Sequence, residues 1–300
     1  MSLWNSDFLP TLNVGQWFNN VVSWMNDNLG PLLNVIDDAL TTLNDGLTDF
    51  LNWVPPLIMV LLLAGLGTWV RGWLFGLFAV IGLLLIQAMP TADLWPEAME
   101  SFALVLVAAV IAMILAIPIG ILAASNGIAS RIIRPVMDLM QTMPAYVYLV
   151  PALFFWSVGP TTGLVATIVF AMPPGVRLTE LGIRQVDPEM VEAGHAFGAP
   201  RRQILRGIQF PLAMPTVMAG INQVIMLSLS MVVIAGLVGS GGLGEPVYQG
   251  ISNLDLVTAS EAGLAVVVLA IYLDRLTSAF GDKSAVARAS RPRKKAAATA

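Results

Sequence analysis

The sequence is poor in charge and in reactive side chains. It has no cysteine and a single histidine, His195, among 300 residues. Disulfides, thiolate metal sites and thiol nucleophiles are excluded together, and a single histidine leaves little for a histidine-based metal cluster or triad. No Gly-Lys pair occurs, so the phosphate loop GxxxxGK[ST] is missing and this chain does not bind ATP by that route. The first 70 positions hold no Lys or Arg, and so lack the basic start of a cleavable signal peptide; the chain reads as mature throughout. Charged residues make up 11% of the whole, against about 25% in a soluble domain. Hydrophobic residues make up 57%, with a mean hydropathy of +0.78. So few charges cannot cover a water-soluble body of this size, and a bilayer must solvate part of it.

What is present is a series of long uncharged runs, at 54–70, 72–90, 101–124, 139–176, 207–239 and 262–273. A crossing helix takes about 20 residues, so 139–176 is too long for one pass. Ser157-Val158-Gly159-Pro160 divides it into 144–158 and 161–176. The expectation is an all-α polytopic membrane protein with seven transmembrane helices. The charges orient it. Residues 1–70 hold six aspartates and no base, and the loops at 91–100 and 240–261 are also acidic without a base. With seven passes and an external N-terminus, all 15 Lys and Arg fall on the cytoplasmic side. The C-terminus is then inside.

The chain divides into an external segment (1–53), a membrane domain (54–280) containing a cytoplasmic loop (177–209), and a basic tail (281–300) expected to be disordered. In the first segment, apolar residues at Leu29, Leu32, Ile36, Leu40, Leu43, Leu47, Phe50 and Val54 predict an amphipathic helix opened by Pro31. It would lie on the outer membrane face or across the external side of a partner subunit. The basic tail reads as an anchor at anionic lipid, with no role for nucleic acid.

The spans contain no Asp, Lys, Arg or His, and Glu261 stands at an outer rim. A proton- or sodium-coupled carrier generally needs such groups at membrane depth, so energy is expected from outside the membrane. An intramembrane hydrolase would lack a general base. Gly239-Ser240-Gly241-Gly242-Leu243-Gly244 matches GxGxxG, but it follows a long apolar helix instead of a strand, so it reads as a glycine-permitted turn.

The 177–209 loop carries the informative pattern: Glu192-Ala193-Gly194, three residues, Gly198, nine residues, then Ile208-Gln209-Phe210-Pro211. It resembles the EAA-x3-G-x9-I-x-L-P signature of binding-protein-dependent ABC importer permeases. Gly194 replaces the second Ala and Phe210 the Leu. The stretch 141–148, the run MPPGVRLTELGIRQV (172–186), the segment 220–244 and Leu273-Asp274-Arg275 resemble glycine betaine/proline betaine permeases in particular. The resemblance covers roughly 54–280.

That resemblance implies a type I ABC importer permease fold in a bacterial cytoplasmic (inner) membrane. It implies a homodimer of this subunit, two ATP-binding ATPase subunits docked on the loop through Glu192, Ala193, Gly194, Gly198, Ile208 and Pro211, and an external substrate-binding protein. The chain itself would hold no cofactor or metal, ATP and Mg residing on the ATPase. It would carry glycine betaine, proline betaine, choline or a sulfonium analogue as an osmoprotectant.

Candidate pathway residues are Tyr146 and Tyr148, whose rings suit a quaternary ammonium but equally suit packing. Asn222, Met226 and Ser230, spaced by four, either line a passage or hydrogen-bond between helices. His195 reads as a solvated loop residue, and Glu180 with Arg184 as a surface pair worth little. The competing reading is an ion-coupled secondary transporter or channel acting alone.

Overall fold

The computed structural model describes residues 13–90 and 93–282, and every regular element among them is a helix. In chain order these are α1 (Val14–Trp53), α2 (Pro56–Arg71), α3 (Trp73–Ala88), α4 (Leu94–Ser125), α5 (Gly127–Thr142) and α6 (Ala145–Trp156). There follow α7 (Pro160–Arg184), α8 (Pro188–Ala196), α9 (Arg201–Ile204), α10 (Phe210–Ala235), α11 (Gly244–Ser252) and α12 (Leu256–Asp282). Proline sets several of the starts. Pro56, Pro160 and Pro188 occupy the first turns of their helices, where a missing N–H costs nothing.

Among the described residues, four stretches are long and apolar enough to cross a bilayer: α4, α7, α12 and the run 201–238 that contains α10. Two further crossings arise if α1 with α2, bent by 106°, and α5 with α6, bent by 100°, each count as one span. The break expected at 157–160 is present, with Ser157 at φ 59° between α6 and α7. The pass expected at 144–158 is shorter than its sequence run. The 12 residues of α6 reach about 18 Å, well short of a hydrocarbon core of about 30 Å. Pro144 is the reason, since it turns the chain sharply away from α5.

The N-terminal helix also differs from expectation. It begins at Val14, and Pro31 lies inside it. An interior proline costs a helix about 3 kcal/mol. Ties to α6 on either side of it offset that cost: Asn26 Nδ2 donates to the Phe154 carbonyl (3.3 Å) and Trp156 Nε1 donates to the Leu33 carbonyl (3.1 Å). Further along, the Thr161 hydroxyl of α7 donates to Asp37. The helix therefore straps the α6–α7 corner. The basic tail beyond Asp282 and residues 1–12 lie outside the described residues.

The core is built around α4, which buries Ala98, Ala108, Ala112, Ala116, Gly120 and Ala123 along its length. Small residues let backbones approach, which is how helices gain packing where lipid gives no hydrophobic drive. A Cβ on Gly120 would lie 2.6 Å from Thr179 Cβ and 2.7 Å from the Val176 carbonyl oxygen on α7. Gly175 faces Ala116 and Met113 as closely, and Gly182 meets Ala213 and Thr216 on α10. Helix α7 is thus sandwiched between α4 and α10.

The α2–α3 hairpin turns at Gly72 (φ 104°) and is held by α12. Tyr272 is fully buried, stacks on Phe75 with centroids 5.7 Å apart, and donates to the Leu63 carbonyl at 2.9 Å. Tyr272→Phe keeps the stack and loses one donor. Membrane hydrogen bonds average about 0.6 kcal/mol, so thermal unfolding in detergent is expected to shift by only a few degrees. A collapse of stability would place the hydroxyl at the centre of the hairpin's attachment.

Candidate functional site

Three residues after α7 ends, Asp187 caps α8 by accepting from the Glu189 N–H at 2.9 Å. The helix makes little more than two turns and then stops in a Schellman closure. The Gly198 N–H donates to the His195 carbonyl (2.9 Å) and the Ala199 N–H to the Gly194 carbonyl (3.1 Å). That closure needs a left-handed residue at Gly198, which sits at φ 76° with open space around it. The spacing between Glu192 and Gly198 is therefore the second half of α8 plus its stop.

Gly194 faces inward. A Cβ there would stand 2.9 Å from Ile208 Cδ1 and 3.2 Å from Ile204 Cγ1, so α8 packs directly on the 201–209 segment. This makes the motif's two halves one packed unit. Between Leu205 and Gln209 the helix widens to a π turn, with the Phe210 N–H reaching the Leu205 carbonyl. Pro211 explains it: its ring would clash with the carbonyl four residues back in a regular turn. The helix leading into α10 thus starts at Arg201, six residues before the apolar run at 207.

What the unit presents is a small knob. Glu192, Ala193 and His195 are exposed, and Phe197 at its tip is 92% exposed. Ile208 is half-buried beneath it and Pro211 is exposed at the base. His195, Arg201, Arg202 and Gln209 line a cavity of about 360 Å³ at its root, closed by Ser125 and Ile183 at the ends of α4 and α7.

Above the knob lies a feature that the sequence reading undervalued. Glu180 is 3% exposed, so it does not form a surface pair with Arg184. Its Oε1 accepts from Ser130 Oγ at 2.7 Å, Arg134 Nη2 at 2.9 Å and Arg184 Nε at 2.8 Å. Arg184 Nη2 then donates to the Ala123 carbonyl of α4 at 2.8 Å. A buried carboxylate is tolerated only when paired and bonded in this way. Asp138 and Arg177 form a further ion pair between α5 and α7. The signal was in the spacing: Ser130, Arg134 and Asp138 fall on one face of α5, and Arg177, Glu180 and Arg184 on one face of α7.

The pathway candidates separate. Asn222 Nδ2 donates to Asp274 Oδ1 at 3.2 Å and Asn222 Oδ1 accepts from Thr277 at 2.5 Å, so its side chain links α10 to α12. Met226 and Ser230 are exposed on α10, and Gln223 joins them at a spacing of three and four. The Ser230 hydroxyl donates back to the Met226 carbonyl at 3.1 Å. Tyr148 is buried, edge-on to Phe170, with its hydroxyl on the Met140 carbonyl, whereas Tyr146 is 58% exposed.

The glycine turn has filled its own nest. Gly241 and Gly242 adopt positive φ, and the Gly242 and Leu243 N–H groups donate to Glu100 Oε2 and Ser101 Oγ, each at 2.7 Å. A carboxylate of the chain occupies the place a phosphate would need. Among the described residues, no group of three His, Cys, Asp or Glu side chains is placed to hold a metal.

Residues 116–284 match the family model described as "Binding-protein-dependent transport system inner membrane component". The chain is 41% identical over 271 residues to the glycine betaine transport system permease protein OpuAB of Bacillus subtilis (strain 168), covering 90% of this chain and 95% of that one. It is 43% identical over 284 residues to the glycine betaine/carnitine transport permease protein GbuB of Listeria monocytogenes serotype 1/2a (strain 10403S), covering 92% and 98%. It is 41% identical over 268 residues to the glycine betaine/proline betaine transport system permease protein ProW of Escherichia coli (strain K12), covering 89% and 75%. Among solved structures, the inward-facing MetNI methionine ABC transporter shares the fold at a TM-score of 0.57 and 24% identity, over 65% of this chain and 95% of that one. With the family model covering more than half its length, and with a packed loop that carries the signature, the chain belongs to the binding-protein-dependent transport system inner membrane components: it is the membrane permease of such a transport system.

Proposed function

We propose that this permease forms the passage of an ATP-driven importer for betaine-like quaternary ammonium osmolytes. It would work as two copies, with two separate ATPase subunits that hold ATP and Mg and an external binding protein that delivers the substrate. The observation that carries the coupling part is the knob at 188–211, a compact helix closed by Gly198 that offers Glu192 and Phe197 outward. A knob with an apolar tip, Phe197 at 92% exposure, and a carboxylate on its side suits a groove on a soluble partner. The substrate class is supported by the relatives, whose names specify glycine betaine, proline betaine and carnitine. All three carry a nitrogen without N–H groups, which polar acceptors cannot bond but aromatic faces can hold. Tyr146, Met226 and Ser230, with Gln223, are the exposed residues proposed to line the route; Asn222 and Tyr148 would instead hold it in shape.

The test is competition. In vesicles containing the permease and ATPase, with binding protein outside, uptake of labelled glycine betaine should be lowered by excess proline betaine or carnitine and unaffected by methionine. Inhibition by methionine alone would overturn the substrate class.

The proposed orientation is seven passes with the N-terminus outside and the C-terminus in the cytoplasm of a bacterial inner membrane. Asn34 is exposed on α1. Single cysteines at Asn34 and Ala298 should react with an impermeant thiol reagent from opposite sides. Reaction of both from one side would require an even number of crossings.

A further inference from the structure

We infer that Glu180 is the positioning residue that transmits movement of the coupling knob to the α5–α6 pair. This rests on the reading of the 188–211 loop as the ATPase contact. Three observations lead to it. Glu180 lies on the last two turns of α7, three residues of linker away from the knob's first turn. It is buried, with three donors, two of which (Ser130 and Arg134) come from α5. Of α5, Ser130 and Met137 are fully buried, Ser130 on Glu180 and Met137 in the main core with Ile133 and Met140 packed beside it.

The helix packs on the main core through Ile133, Met137 and Met140. Ile128, Ile132, Val136 and Leu139 form an exposed apolar stripe on its other side. Its directional bonds to α7 are all made by its polar face: Ser130 and Arg134 to Glu180, and Asp138 to Arg177. Arg184 extends the same carboxylate to the Ala123 carbonyl at the end of α4. One carboxylate thus joins the ends of three helices beside the knob. Through the 100° bend at 143–144, α5 continues into α6, which carries Tyr146 and Tyr148. A buried carboxylate that must keep its donors ties the movement of α5 to that of α7. Displacement of the knob by the ATPase is therefore carried along α7 into α5 and on to the aromatic helix.

The experiment uses the complete complex in vesicles, with binding protein and labelled glycine betaine outside. Glu180→Gln and Arg134→Gln are compared with Glu192→Ala for uptake, for ATP hydrolysis, and for the amount of ATPase subunit that co-purifies. Arg134 has a 57% exposed side chain, so its variant tests the joint even if Glu180→Gln fails to insert. The expected result for Glu180→Gln and Arg134→Gln is normal co-purification of the ATPase and hydrolysis within twofold of the parent. Uptake per ATP hydrolysed should fall at least tenfold for Glu180→Gln and about threefold for Arg134→Gln. Glu180→Asp, which keeps the charge, should recover part of the coupling. A purely structural role would lower hydrolysis, assembly and uptake in parallel, and that overturns the inference, as does unchanged uptake per ATP in Arg134→Gln. The two readings fail separately. If the knob is not the ATPase contact, Glu192→Ala leaves association and coupling intact; if only the joint is wrong, Glu192→Ala uncouples while the Glu180 and Arg134 variants transport normally.

Discussion

Gly198→Val is expected to reduce uptake more than tenfold while leaving the permease in the membrane at normal levels. Gly198 holds φ 76° to close α8, and its position meets no neighbouring atom within 4 Å. The cost of a side chain there is therefore conformational and local. A left-handed backbone costs an L residue roughly 1–2 kcal/mol, and a β-branched one more. Since 1.4 kcal/mol is a factor of ten, the closed knob loses about that factor or more in population relative to opened forms. The membrane core is untouched because the knob projects from it. Gly198→Asn, which enters the left-handed region readily, should keep much of the activity. Uptake in vesicles and immunodetection in membranes measure the two quantities. Normal ATP-coupled uptake by the valine variant would remove the loop from the coupling surface.

Gly120→Val should do the opposite, removing the protein itself. The added Cβ would meet Thr179 Cβ at 2.6 Å and the Val176 carbonyl oxygen at 2.7 Å, and the second of these is backbone. Overpacking costs typically 1–3 kcal/mol, and more where rigid helices must separate. Helices α4 and α7 meet along a seam of small residues, so parting them at Gly120 also strains the Ala116–Gly175 contact. The expected outcome is at least a fivefold drop in protein accumulated in the membrane, read by immunodetection. Wild-type levels would show that the seam is looser than described.

The sequence exposed some levels of this organisation and hid others for physical reasons. The loop was legible through the spacing of Glu192, Gly198 and Pro211, and its short helix could also have been read locally, from an Asp-Pro start at Asp187-Pro188 and a glycine stop at Gly198. The division at Ser157–Pro160 was legible because turn chemistry is local. Pro31 misled because proline opens helices far more often than it interrupts them. The bonds that hold it inside α1 come from residues more than 120 positions away. Glu180 and Arg184 looked like an exposed pair, since an i,i+4 spacing is common on surfaces. What buries Glu180 is the polar face of α5, which could have been read from Ser130, Arg134 and Asp138 at intervals of four. Asn222, Met226 and Ser230 share a helical face by periodicity alone. Only the position of α12 decides that Asn222 bonds Asp274 and Thr277 while Met226 and Ser230 stay exposed.

The central claim is that transport is driven by ATP on a partner and not by an ion gradient. The carboxylates of the crossing helices stand toward their ends, and Glu100, Glu180 and Asp274 are each hydrogen-bonded within the chain, whereas a coupling proton needs a group whose affinity differs between inward and outward states. The decisive measurement is uptake of labelled glycine betaine into vesicles that contain the permease and its ATPase, with binding protein outside, while the proton and sodium gradients are collapsed. With ATP and Mg inside, uptake should continue at its full rate, and without ATP it should stop. Uptake that persists without ATP and follows an imposed proton or sodium gradient would contradict the account.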